Sequence, residues 1–90
     1  MSAESLPGAE LVADGLRDLA AGRESIPALL VSIASPRLRL IGWHLPFIFP
    51  RAEERLYERL AAEFGDGAHG RYNALIRRLV SFQRAAACAK

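Results

Sequence analysis

Few residues in this chain of 90 have chemistry to offer: two histidines, His44 and His69, one cysteine, Cys88, and the carboxylate of Asp66 three residues before His69. A zinc centre needs three or four His, Cys or carboxylate ligands at short, regular spacing. Neither histidine has such companions, so no metal site is expected. Asp66 lies where a side-chain oxygen caps the start of a helix, which accounts for its place beside His69 without catalysis. Cys88 has no partner for an intramolecular disulfide, in keeping with a reducing compartment, and basic neighbours alone, Arg84 and Lys90, do not make it a nucleophile. Gly65, Gly67 and Gly70 lead into a helix but lack the preceding strand and the lysine of a phosphate-binding loop. Tyr72 and Asn73 could hydrogen-bond a ligand, but nothing in the sequence requires one. No catalytic residue, cofactor or metal is assigned, and the chain is expected not to be an enzyme.

Binding chemistry is richer. After Asp66 there is no acidic side chain, while Arg71, Arg77, Arg78, Arg84 and Lys90 are basic. Advancing 100° per residue from Arg71 puts Phe82, Leu75, Leu79, Tyr72, Ile76 and Val80 between about 20° and 180°, and the four arginines between about 220° and 360°. One side of this segment is therefore covered and the other is basic. Arginine donates bidentate hydrogen bonds to phosphate, and neutralising phosphates releases counterions, so a nucleic-acid backbone would fit the arginine face. An acidic protein surface would also fit, such as the outward residues Glu10, Asp14 and Asp18 of the first helix. A face that only meets water, its arginines paired within the fold or across a dimer, is the plainer reading.

The second candidate is a loop. Trp43, Leu45, Phe47, Ile48 and Phe49 put five large apolar side chains in seven residues between prolines. Each contributes about 1.5–3 kcal/mol when fully buried. They either complete the core of a small domain or form part of a dimer seam or partner site, where aromatic anchors concentrate. A helix-turn-helix over residues 25–45, with Arg37 and Arg39 on the second helix, is disfavoured. The turn lacks its usual glycine, and Leu38, Leu40 and Ile41 leave too few polar side chains to read bases.

These groups need a scaffold, and the spacing of apolar residues supplies an all-α one. The stretch Ile26–Pro50 is the most apolar in the chain and holds four of the five prolines. Ala9, Val12, Ala13, Leu16, Leu19 and Ala20 recur at helical spacing, so a first helix is expected over roughly residues 7–21 with Gly22 as its stop. A second begins at Ser25 or Ile26 and is apolar nearly all round through Ala34, which marks it as a short buried central helix. Ser35-Pro36 reads as a stop followed by a new start. Arg37 to Leu40 alternates like a strand but has no partner strand, so residues 36–43 are read as a short third helix. A fourth runs from near Pro50 to Phe64, with Arg51–Glu54, Arg55–Glu58 and Arg59–Glu63 expected to pair along its outer face. Gly65-Asp66-Gly67 breaks the chain, and a long amphipathic C-terminal helix follows over about residues 68–87. The expected fold is a compact bundle of four to five helices in a single domain, with residues 1–6 as an arm and 88–90 as a frayed tail.

Composition narrows the function classes. Apolar residues make up 51% of the chain, the top of the usual range, and a chain this short has limited interior to hold them. That excess favours an oligomer or a partner. The formal charge is only +2, and Lys90 is the single lysine. The first ten residues lack the basic and apolar regions of a signal peptide, and no run approaches the ~20 apolar residues of a membrane span. A cytoplasmic protein is expected. The leading expectation is a non-catalytic, regulatory module acting through protein association, as a homodimer. The alternative is a nucleic-acid-binding protein that uses the arginine face.

Overall fold

Helix α1 spans Ala9–Ala20, α2 Ile26–Leu40, α3 Ala52–Phe64 and α4 Ala68–Ala89 in the computed structural model, which describes residues 6–45 and 47–89. No strand occurs among the described residues. The predicted arm lies outside them except for Leu6, which rests against the core; of the predicted tail only Lys90 lies outside, and Cys88 and Ala89 are the last residues of α4.

Helix α2 is the centre. It packs against each of the other three helices, and Ala28, Leu29, Val31, Ala34 and Leu38 are completely buried along it. It is one helix of 15 residues, not two short ones. The expected break at Ser35-Pro36 does not occur, and with it goes the helix-turn-helix. Proline removes one helical hydrogen bond and disfavours a helical residue before it. Here its ring is exposed, and continuing the helix carries Leu38 into the core. The true stop is Gly42. Its φ of 95° lets Trp43 N–H reach Leu38 O at 3.0 Å and Gly42 N–H reach Arg39 O at 3.1 Å, the paired bonds of a Schellman ending. The first helix ends the same way at Gly22, with Arg23 N–H on Asp18 O at 2.8 Å.

The start of α2 is tied back to α1. Ser25 Oγ accepts from Ala28 N–H at 3.1 Å as the N-cap and donates to Asp18 Oδ2 at 2.6 Å. Two of the acidic residues on the outward face of α1 are therefore used within the fold: Asp18 also meets Arg23 at 3.4 Å, and Asp14 meets Arg17 at 3.0 Å.

The outer face of α3 pairs differently from expectation. Arg51–Glu54 forms at 3.3 Å. Arg55 and Arg59 turn instead to Glu24, in the α1–α2 connection, at 2.9 and 3.5 Å. The Arg55 contact is an ion pair without hydrogen-bond alignment, since Glu24 Oε1 is buried and has no hydrogen-bond partner. A half-buried carboxylate draws two guanidiniums because its field is less screened than that of the exposed Glu58 and Glu63. Between α3 and α4 the Gly65–Gly67 segment forms one 3-10 turn, so Asp66 lies inside that turn and not at the helix cap predicted for it.

Candidate functional site

The apolar loop is mostly core. Leu45 is buried, and Trp43, Ile48 and Phe49 are half-buried against the core cluster. Trp43 meets Phe82 edge-on, with ring centroids 5.6 Å apart. The loop is fastened to α2 by two polar contacts. Ser32 Oγ donates to Ala28 O at 2.9 Å and accepts from Phe49 N–H at 3.1 Å, while Arg39 Nη2 donates to Leu45 O at 3.1 Å. Phe47 is the member left outside, 45% exposed and edge-on to Phe49 at 5.0 Å. It borders a depression of about 230 Å³ shared with Leu16, Leu19, Ala20, His44 and Leu45. Leu40, at the end of α2, is 80% exposed, and Tyr57 on α3 is 40% exposed.

On α4 the four arginines Arg71, Arg77, Arg78 and Arg84 are all exposed. None has a carboxylate partner among the described residues. They divide into two pairs, each seven residues apart. Arg77 and Arg84 lie on the crest away from the bundle. Arg71 and Arg78 lie on one flank, with Ala74 and Leu75 between them at the i, i+3, i+4 and i+7 positions that share a helix face.

That flank is one wall of a groove of about 290 Å³. Ile26 at the start of α2 and Leu60 and Phe64 of α3 supply the rest of its apolar lining. The guanidinium of Arg71 lies over the Phe64 ring, 4.1 Å from its centroid, a cation–π stack that fixes the head group. Arg78 stands at the other end and also borders a depression with Leu6, Gly8, Ala9 and Glu10. The groove walls Ile26, Leu60 and Phe64 were not anticipated as site residues, because apolar periodicity assigns them to covered faces without showing where coverage stops. The arginine and leucine spacing on α4 was the available signal.

The histidines are not brought together. His44 is on the rim of the Phe47 depression. His69 lies 3.2 Å from Asn73 Nδ2 and near the Tyr57 ring. Tyr72, stacked at a tilt on Tyr57, has its phenol pushed above the ordinary tyrosine value by burial and then by the charge of Glu53. Among the described residues no cluster of three or more His, Cys, Asp or Glu is placed to hold a metal ion, and no helix is long and apolar enough to cross a membrane.

The chain matches no known protein family, no curated protein and no solved structure. The functional reading rests on the surface itself.

Proposed function

We propose that this chain is a non-catalytic helical module that acts by associating with protein, in the first instance with a second copy of itself. The observation that supports this is apolar surface left uncovered by the bundle, chiefly Phe47 beside its depression, with Leu40 and Tyr57 as further exposed large side chains. An aromatic side chain next to a concave apolar surface is the usual composition of an interface anchor. Size-exclusion chromatography with light scattering tests the homodimer after nucleic acid is stripped at high salt. A dimer that persists on dilution to low micromolar protein, and that Phe47→Ser converts to monomer with unchanged helical content, is the expected result. A monomer at about 100 μM, where an interface with a Kd near 1 μM would be almost fully formed, would overturn the homodimer.

Nucleic-acid binding is the second reading, supported by the lack of carboxylate partners for the arginines of α4. It predicts affinity that falls steeply with salt. Changing Arg77 and Arg78 to glutamine would then weaken binding to a DNA or RNA duplex and flatten the salt slope by about one to two in log–log terms. An affinity unchanged by that substitution would exclude this face.

A further inference from the structure

We propose that the groove between α3 and α4 docks an acidic amphipathic helix of a different protein. Arg71 and Arg78 bind two carboxylates seven residues apart on that helix, and two apolar side chains between them fill the space above Leu75, Phe64 and Ile26. Three observations converge on this occupant. The floor is apolar and open, with a volume of about 290 Å³, room for side chains but not for a large ligand. The charges stand at its two ends, two helical turns or ~10.5 Å apart along α4. Both lack a carboxylate partner among the described residues, and Arg71 is already held in place by its stack on Phe64.

An apolar floor between two arginines has no role against a phosphate backbone, which would use the convex crest of Arg77 and Arg84. It suits a helix laid in a groove, where apolar anchors give affinity and flanking charges set register. A second copy of this chain does not supply the match, because no two of its acidic residues are seven apart in sequence. The occupant is thus a partner whose helix carries the complement of the α4 pattern: acid, then apolar residues three and four positions on, then acid at seven.

The proposal rests on the reading of this chain as a protein-association module, but it uses a different surface from the Phe47 face. A monomer in light scattering removes the homodimer and leaves this groove untouched. A groove that binds nothing leaves the homodimer untouched. The probe is a labelled alanine-based helical peptide with two glutamates seven residues apart and leucines three and four positions after the first, titrated by fluorescence anisotropy with the full chain at low salt. Saturable binding is expected, about five- to tenfold weaker when both glutamates are glutamine, as two solvent-exposed ion pairs would give. The doubly substituted protein, Arg71→Glu with Arg78→Glu, should reverse the preference and bind the lysine version of the peptide more tightly than the glutamate version. Unfolding cannot produce such a reversal. Equal affinity for the glutamate, glutamine and lysine peptides would overturn the proposal, as would no saturable binding. A DNA duplex that binds through Arg71 and Arg78 while no peptide does would also overturn it and assign the flank to nucleic acid.

Discussion

Replacing Phe82 with alanine should lower the unfolding free energy by about 3–5 kcal/mol, the range for an aromatic ring removed from a closed core. Phe82 is 1% exposed and the largest fully buried side chain among the described residues. It is a joint between three parts of the chain. It projects from α4, its ring stands nearly perpendicular to that of Trp43 from the loop, and its Cβ sits 3.5 Å from where a side chain on Gly8 would begin, at the head of α1. The cavity left by alanine cannot be filled by one neighbour moving, since α1, α4 and the loop would all have to close. A domain of this length has a total stability of about 5–13 kcal/mol, so the loss would be a large part of the whole. Urea unfolding followed by fluorescence of Trp43, the only tryptophan, reports both the midpoint and the local change. Phe82→Leu, which keeps more of the volume, should cost less. A loss under about 1 kcal/mol for the alanine variant would mean that the joint is not closed.

Gly15→Ala is expected to destabilise by about 1–2 kcal/mol, although alanine is the better helix former. Gly15 is buried in the middle of α1 where that helix crosses α2. A Cβ there would lie 2.4 Å from Pro27 O and 2.4 Å from Val31 Cγ2. The first of these is backbone and cannot rotate away, so the two helices must separate. Helix propensity returns about 0.8–1.0 kcal/mol, while overpacking costs typically 1–3 kcal/mol and occasionally more. The clash wins because it displaces a whole helix. Gly15→Val, bulkier and β-branched, should cost more than alanine. Gly70→Ala is the internal control. It lies in α4 with open space around it, so only the propensity gain remains, and it should stabilise slightly. Thermal unfolding of the variants side by side decides the matter; a Gly15→Ala protein as stable as Gly70→Ala would show that the helices are not in contact at that point.

Several features were legible in the residues because they are local. The 3.6-residue periodicity gives α1, α3 and α4 with ends near those observed, and Gly22 stops α1 as its conformational freedom predicts. The placing of the segment from Ile26 to Ala34 at the centre followed from an apolar surface on nearly all sides; its continuation to Leu40 did not. The error at Pro36 has a definite origin. Two stop signals lay seven residues apart, Ser35-Pro36 and Gly42-Trp43, and local preference ranks proline first. Burial of Leu38, visible only when α2 meets the other helices, offsets much of a penalty of about 3 kcal/mol for an interior proline. Two of the three arginine pairs expected on α3, Arg55–Glu58 and Arg59–Glu63, failed for a related reason, while Arg51–Glu54 formed. Spacing along one helix cannot reveal that Glu24, some 30 residues earlier in sequence, stands beside Arg55 and Arg59.

The candidate site divides along the same line. That α4 carries arginines and no acid of its own is a property of the sequence alone, because no acid follows Asp66. So is the seven-residue spacing of Arg71 and Arg78. What only the tertiary structure decided is that these two arginines bracket an apolar groove while Arg77 and Arg84 do not, and that Phe47, among the five large residues of its loop, is the one in solvent. Periodicity reports which side of a helix is apolar. It does not report whether a neighbour is long enough, or close enough, to cover all of that side. Coverage is set by distances between segments far apart in the chain, and those distances exist only once the helices have packed.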